Sequence, residues 1–476
     1  MNRKRRSNPG QRYLWLVAAG FLALAGNAEA DGKRPNVLLI VSDDQRADTI
    51  HALGNHYIDT PHLDALVKRG VSITRANSAN PICTPSRAEI LTGCTSFRNG
   101  VIYFGGKIAP ELPTIAKTMT SAGYSAWYSG KWMNDGSPIS HGYQETEALF
   151  SSGGGDAKAE LLDSQGRKIT GYRGWTFKKY DGTVELEKGN GLTSETDGFI
   201  ADGAIEFLNR KPEKPFFLHV NFTAPHDPLM VHETLKGKYE EMEMPIPPNF
   251  LPEHEFDYGN LRGRDELLLP FPRTVSDVRK ELADYYAVIE NMDRQLGRVL
   301  EALEASGQRD NTLVIFSSDH GLGKGSHGIV GKQNMYEHTL KVPLIFSGPR
   351  IPEDKVLDPQ CYLRDLYPTI CQYTGVPIPD SVEGKSLIPL LLGEKKSIYD
   401  FTVSYYRESQ RMIRTDRWKY ILYPEANRAQ LFDLQNDPYE MRNLIGRPDT
   451  DREVTDLKAK LKEWLIAHGD PVGAEM

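Results

Sequence analysis

Cysteine is scarce in this chain, with four residues among 476. Small secreted proteins that depend on a disulfide framework carry a much higher proportion of cysteine. Two of the four, Cys361 and Cys371, are ten positions apart, and a helix between them would hold their thiols too far apart to bond. We favour buried free thiols, and a disulfide between this pair stays open.

Positive charge and long apolar runs are also scarce. The chain has 57 Lys and Arg against 64 Asp and Glu, and this balance favours neither nucleic acid nor an anionic membrane as a partner. The apolar run from Tyr13 to Ala25 is too short to span a bilayer, which takes about 20 residues. It follows a basic start and precedes Ala28 and Ala30, so residues 1–30 are predicted to be a signal peptide. We expect an exported protein, periplasmic or secreted, without a stable membrane anchor.

Internal repeats, heptads and a glycine-rich phosphate loop are absent, whereas short apolar runs alternate with helical patterns along the chain. Continuous apolar runs suit strands that are buried on both faces of a parallel sheet. The predicted strands are Asn36–Ser42, Tyr124–Ser129, Phe216–Phe222 and Thr312–Ser317, and the predicted helices are His62–Arg69, Leu112–Ala122, Gly198–Leu208 and Val278–Ala305. This alternation predicts an α/β fold, with a mostly parallel central sheet sandwiched by helices.

Two long irregular stretches interrupt this pattern, at about 150–195 and about 243–274. Long connections within a compact domain are usually functional or mobile, and we expect these two to shape a cleft. Beyond about residue 396, short strands and a charged helix predict a small C-terminal antiparallel sheet plus helix. The expected organisation is therefore a signal peptide, an α/β domain over 31–395 and a C-terminal subdomain over 396–476.

Charged and polar residues follow the predicted strands at the point where each strand ends. They are Asp43 and Asp44, Lys131, His226, and Asp319 with His320. Because ligands gather at the carboxyl ends of the strands in such sheets, we expect these side chains to lie close together. Three carboxylates suit Ca²⁺ or Mg²⁺, and His320 adds a nitrogen ligand. The sequence thus predicts a metal site formed by Asp43, Asp44, Asp319 and His320.

Residues 83–93 read Cys-Thr-Pro-Ser-Arg-Ala-Glu-Ile-Leu-Thr-Gly. Pro85 suits the first turn of a helix, which would place Cys83 beside a helix N-terminus, where the backbone N–H groups favour an anion. Arg87, one turn further on, offers a permanent positive charge to residue 83 or to the metal cluster. Further charge and a proton donor come from Lys131, Lys332 and His226.

This cysteine-containing undecapeptide is the pattern that marks sulfatases whose cysteine is oxidised to formylglycine. Other matching motifs are Asp43-Asp44-Gln-Arg46, Gly130-Lys131-Trp132, Ala-Pro-His226, Ser318-Asp319-His320-Gly321 and Gly331-Lys332. On these motifs the chain resembles the type I formylglycine-dependent sulfatases of the alkaline-phosphatase-like superfamily, and bacterial exported glycan sulfatases in particular. The similarity runs from about Arg34 to the end of the chain.

The resemblance implies a sulfuric ester hydrolase that uses Ca²⁺, or Mg²⁺, and needs a formylglycine-generating maturation enzyme. It implies that residue 83 joins the metal ligands and that its hydrate attacks sulfur. Arg87, Lys131 and Lys332 would stabilise the sulfuryl oxygens, while His226 or a lysine would protonate the leaving alcohol. The implied substrate is an O-sulfate on a sulfated polysaccharide or oligosaccharide. The alternatives are a phosphate or phosphonate ester hydrolase of the same superfamily and a non-catalytic exported glycan-binding protein.

Two positions depart from the family pattern. Many relatives have Asn where this chain has His320, and the His variant resembles the iduronate-2-sulfatase branch. Met133 stands where relatives often have a histidine thought to assist sulfate release, and it is the feature that favours a non-catalytic binder. His141 or a lysine could take over the missing role, and the sequence leaves that choice open. Aromatic residues of the first long stretch, Tyr172, Trp175 and Phe177, could stack on a sugar, although packing is the commoner role.

Overall fold

The structure, a computed structural model, describes residues 34–239 and 244–476, so the predicted signal peptide lies outside the described residues. Its strands are β1 Asn36–Ser42, β2 Val71–Asn77, β3 Ser125–Lys131, β4 Glu145–Ser151, β5 Thr176–Lys178, β6 Val184–Glu185, β7 Phe216–Asn221, β8 Thr312–Ser318, β9 Lys341–Val342, β10 Leu344–Ser347, β11 Lys355–Tyr362, β12 Thr402–Tyr406, β13 Gln410–Arg414, β14 Trp418–Tyr423 and β15 Arg428–Asp433. Its α-helices are α1 Pro61–Lys68, α2 Cys83–Thr92, α3 Ser96–Asn99, α4 Ile115–Ser121, α5 Thr196–Asn209, α6 Val275–Ala305, α7 Glu337–Leu340, α8 Leu366–Thr374, α9 Ile388–Leu391, α10 Asp451–Ala467 and α11 Pro471–Glu475.

A large mixed sheet organises the molecule, in the order β11-β2-β10-β8-β1-β7-β3-β4-β5-β6, with β9 paired to β2. Strand β1 runs parallel to β7 and β8, and β3 runs parallel to β7 and β4. The antiparallel pairings are those of β10 with β8 and β2, of β9 with β2, and of β5 with β4 and β6 at one edge. The predicted α/β fold with a mostly parallel sheet is therefore confirmed.

The central strands are apolar along their whole length because both faces of the sheet are covered. Every residue of β1 and β8 is buried. Alternate residues of β1 enter two different cores, with Leu38 and Ile40 packing on one face and Val37, Leu39 and Val41 on the other. Burial of this apolar surface is the main favourable term in folding, and here it fixes the strand ends that carry the polar residues.

The C-terminal sheet, β12-β13-β14-β15, is antiparallel and packs against α10, as predicted. Its other face packs against the large domain. There Tyr406 and Met412 share a core with Ile82, which precedes Cys83, and with Met335, which follows Lys332 by three residues. Buried ion pairs from Glu337 to Arg414 and Lys419 join the same surfaces. The C-terminal sheet therefore supports the chain close to Cys83 and close to Lys332.

Several elements have no clear signal in the sequence, among them β2, β4, β10 and β11.

The thiols of Cys361 on β11 and Cys371 on α8 are buried and free, as are those of Cys83 and Cys94. The disulfide left open from the sequence is therefore absent. Within residues 34–239 and 244–476, no helix is both long and apolar enough to cross a membrane.

Candidate active site

The carboxyl ends of four neighbouring strands bring the predicted polar residues together at one edge of the sheet. Asp43 and Asp44 follow β1, Asp319 and His320 follow β8, Lys131 ends β3 and His226 follows β7. All six side chains are buried. Asp44 has a φ of 71°, a left-handed conformation that residues other than glycine seldom adopt, and its N–H donates to Asp319 Oδ1 at 3.1 Å.

Cys83 is the first residue of α2, so its side chain lies at the N-terminal end of a helix, as predicted. The sulfur Sγ is 3.5 Å from Asp43 Oδ1 and 3.9 Å from Asp44 Oδ1. On its other sides it is 3.3 Å from His320 Nε2 and 3.4 Å from Lys332 Nζ. Residue 83 is thus in contact with two carboxylates, an imidazole and an ammonium group.

Each carboxylate of this cluster has a cationic partner. Lys332 Nζ donates to both oxygens of Asp44, at 2.8 and 2.9 Å, and Lys131 Nζ donates to Asp43 Oδ2. Arg87 Nε donates to Asp319 Oδ2 at 3.1 Å, and its Nη2 donates to Asp43 Oδ1 at 3.3 Å. Each of the three carboxylates is therefore paired with at least one cation, and all of these side chains are buried.

Burial controls the protonation of the other groups. It raises the pKa of the Cys83 thiol well above its ordinary value, so the unmodified side chain is a neutral thiol and a poor nucleophile. Burial lowers the pKa of His320 to about 4 and, with Lys332, holds the pKa of His226 well below its ordinary range. Burial, together with the neighbouring Asp43 and Asp319, raises the pKa of Asp44 despite Lys332. A cation bound among these carboxylates would relieve that repulsion.

The cluster fits a hard divalent cation. One oxygen from each of Asp43, Asp44 and Asp319 lies within 4.8 Å of the others, and Cys83 and His320 form a second such group with Asp44. Carboxylate oxygens at this spacing are the ligands that Ca²⁺ and Mg²⁺ prefer. All of these ligand atoms belong to buried residues, so nearby polar groups can hold them in place.

The structure adds contacts that the sequence patterns do not predict. Tyr172, from the first long irregular stretch, donates its hydroxyl to Asp43 Oδ2. Asn221, the last residue of β7, accepts from Arg87 Nη1. Asp227 contacts His226 Nδ1 through its backbone oxygen at 2.6 Å and its side chain at 3.2 Å, and it pairs with Arg264. The sequence marks Asp227 only as the neighbour of His226. It marks Tyr172 as a candidate for stacking on a sugar, whereas the Tyr172 ring is buried against Trp175 and Phe150.

His141 is located away from this cluster. Its Nε2 contacts the backbone oxygen of Asp135 at 3.0 Å, and its ring packs on Trp132. Met133 lines a small cavity behind Arg87, together with Tyr128 and other residues. Among the described residues, neither His141 nor Met133 forms a side-chain hydrogen bond with Cys83.

Comparison with protein families decides what this constellation belongs to. Residues 35–376 match the sulfatase family, and residues 325–467 match the C-terminal region of N-sulphoglucosamine sulphohydrolase. The chain belongs to the sulfatase family. This sulfatase is accordingly a sulfuric ester hydrolase, and the family resemblance inferred from its motifs is confirmed.

Relatives align with this sulfatase over almost its whole length. An arylsulfatase from Clostridium perfringens is 30% identical over 466 residues, which cover 91% of this chain and 94% of the relative. An N-acetylglucosamine-6-O-sulfatase from Bacteroides thetaiotaomicron is 26% identical and covers 98% of this chain and 92% of its own. A solved structure in complex with its substrate D-glucosamine-2-N,6-O-disulfate has a TM-score of 0.76 at 24% identity, covering 92% of this chain and 99% of its own. This last similarity establishes the fold.

Proposed function

We propose that this sulfatase removes O-sulfate groups from a sulfated polysaccharide or oligosaccharide, with a formylglycine made from Cys83. The observation that carries the proposal is the position of Cys83, at a helix N-terminus and in contact with Asp43, His320 and Lys332. The glycan class is supported by the relative that acts on N-acetylglucosamine 6-O-sulfate. We further propose that residues 1–30 direct export to the periplasm or the medium. The domain of 31–395 would then carry the site, and 396–476 would form a subdomain.

Asp43, Asp44, Asp319, His320 and residue 83 would hold a Ca²⁺ ion, or Mg²⁺. The bound cation would act as a Lewis acid toward the sulfuryl oxygens. The chain's own contribution is to keep three carboxylates together despite their mutual repulsion. It does so with Arg87, Lys131 and Lys332, as the contacts described above support.

A formylglycine hydrate at position 83 would supply two hydroxyls on one carbon. One would take the sulfuryl group from the departing alcohol, and loss of the proton of the other would expel sulfate and restore the aldehyde. The Cys83 sulfur stands in for one of those oxygens. Around it, Lys332 supplies a fixed positive charge at 3.4 Å and His320 a nitrogen at 3.3 Å. The N–H groups at the start of α2 favour negative charge at the same point. Such preorganised donors usually supply the largest catalytic term.

His226 is the proposed proton donor to the departing alcohol. Its Nδ1 is held by Asp227, while its Nε2 faces the cluster, 3.7 Å from Asp44 Oδ2. Because Nδ1 donates to Asp227, a proton on Nε2 makes the ring an imidazolium. Burial and Lys332 lower the pKa of this imidazolium, so its Nε2 proton is given up readily to the departing alcohol. The two oxygens of Asp227 that face Nδ1 fix the ring in the orientation that this transfer needs.

The test is to compare hydrolysis of 4-nitrophenyl sulfate and 4-nitrophenyl phosphate by enzyme produced with a formylglycine-generating enzyme. We expect kcat/KM to be higher for the sulfate, to fall on chelation of divalent cations, and to vanish in Cys83→Ala. A higher kcat/KM for the phosphate would favour the phosphate ester alternative. Failure to turn over either aryl ester or any member of a panel of sulfated oligosaccharides, with formylglycine present, would favour the glycan-binding protein. A panel of sulfated oligosaccharides would then identify the sugar.

A further inference from the structure

Tyr172 belongs to the irregular segment between β4 and β5, yet its hydroxyl reaches the buried carboxylate cluster. The hydroxyl donates to Asp43 Oδ2, the same oxygen that accepts from Lys131 Nζ. The other oxygen of Asp43 faces Arg87 and the Cys83 sulfur. Tyr172 therefore completes the set of donors that surround the first carboxylate of the cluster.

The ring of Tyr172 is held on several sides. It lies edge-on to Trp175, with ring centroids 4.8 Å apart and an interplanar angle of 89°, and it packs at 5.7 Å against Phe150. On the side of the cluster it meets the His226 ring at 4.6 Å and the Lys131 ammonium at 5.2 Å from its centroid. The latter distance is that of a cation–π contact. Tyr172 thus contacts two further groups of the site besides Asp43.

The backbone of Tyr172 has a strained conformation. Tyr172 has a φ of 53°, in the left-handed region that costs free energy for a residue with a Cβ. The preceding Gly171 lies so close to its neighbours that an added Cβ would be 2.6 Å from Arg264 Nη2 and 2.8 Å from the Asp227 backbone oxygen. The segment is therefore pressed against the residue pair that holds His226. Strain of this kind persists where the surrounding structure enforces a particular placement.

We propose that Tyr172 is a positioning residue of the cation site: its hydroxyl fixes the Asp43 carboxylate, and its ring keeps Lys131 and His226 in place. The inference rests on the proposed function. Groups that hydrogen-bond to metal-ligating carboxylates typically contribute about 10–100-fold to metal affinity or activity. The first long irregular segment is, on this account, part of the active site and not only a wall of the cleft.

The test compares Tyr172→Phe with Tyr239→Phe in the full-length mature enzyme. Tyr239 is a matched control, because its buried hydroxyl also donates to a carboxylate, Glu290 Oε2, in a different part of the molecule. Ca²⁺ is titrated into metal-free protein and its dissociation constant is measured by calorimetry, alongside kcat and KM for 4-nitrophenyl sulfate. For Tyr172→Phe we expect a dissociation constant raised about 10-fold or more and a lower kcat, with Tyr239→Phe within about twofold of the wild type.

Three results would overturn the inference. The first is that Tyr172→Phe matches the wild type in Ca²⁺ affinity and kcat. The second is that Tyr172→Phe and Tyr239→Phe lose Ca²⁺ affinity and kcat by the same factor, which would indicate a general effect of losing a buried hydroxyl. A low kcat with unchanged Ca²⁺ affinity would also contradict the positioning role. If Tyr172→Phe does not fold, Gly171→Ala replaces it, because the added Cβ would displace Tyr172 while keeping the hydroxyl. The wild type separates this inference from the proposed function. If the wild type shows no cation-dependent sulfate release, the proposed function fails, whatever the result for Tyr172→Phe.

Discussion

Lys332 provides a quantitative test of the electrostatic account. Its ammonium donates to both oxygens of Asp44, at 2.8 and 2.9 Å, and lies 3.4 Å from the Cys83 sulfur, with its side chain 2% exposed. Lys332→Met keeps most of the volume of the side chain and removes the charge. Breaking a buried ion pair typically costs about 3–5 kcal/mol of stability, because the remaining charge has no partner. Losing one preorganised donor to a developing negative charge typically lowers kcat by about 10²–10³.

The matched control is Lys419→Met. Lys419 is fully buried and pairs with Glu337 and Glu440 at 3.1 and 2.7 Å, in the C-terminal sheet. Urea unfolding of metal-free protein should show a comparable loss of stability for both variants. Initial rates on 4-nitrophenyl sulfate, at a temperature where both are folded, should show the loss of kcat only for Lys332→Met. The reasoning is refuted if Lys332→Met stays within about threefold of the wild-type kcat, or if Lys419→Met loses as much activity.

Two further outcomes follow from the same geometry. Asp319→Asn removes a carboxylate charge that faces Asp43, Asp44 and Arg87. The purified variant should therefore contain less calcium than the wild type by elemental analysis. A calcium content equal to that of the wild type would remove Asp319 from the ligand set. Burial opposes ionisation of Glu337, but Arg414, Lys419 and Lys341 outweigh it and hold its pKa well below the ordinary value. Because the folded pKa is depressed, the stabilisation is present above the unfolded value of about 4.5 and is lost as the pH falls below it. Thermal unfolding should therefore show a steep loss below about pH 4.5 that Glu337→Gln reduces, and equal slopes would contradict this assignment.

The sequence was most informative where one physical constraint acts alone. The runs at β1 and β8 are continuous and apolar because both faces of the sheet are covered, and their predicted bounds agree with the structure to within one residue. The convergence of Asp43, Asp319, Lys131 and His226 could also be predicted, since parallel strands deliver their carboxyl ends to one edge.

Other features depend on contacts that are distant in the chain. β2 carries Ser, Thr, Arg and Asn and has no continuous apolar run, and its pairing with β10 and β11 is set by the fold as a whole. Tyr172 reaches Asp43 from an irregular segment whose path no local pattern specifies. The orientation of His141 was equally inaccessible, because a short turn between two elements can present a side chain in either direction.

The most direct test of the central claim is the mass of the tryptic peptide Ala76–Arg87, from protein produced together with a formylglycine-generating enzyme. The account predicts that the thiol of Cys83 is replaced by an aldehyde, and that sulfate release rises in proportion to the converted fraction. An unmodified cysteine in protein that still releases sulfate at full rate would contradict it.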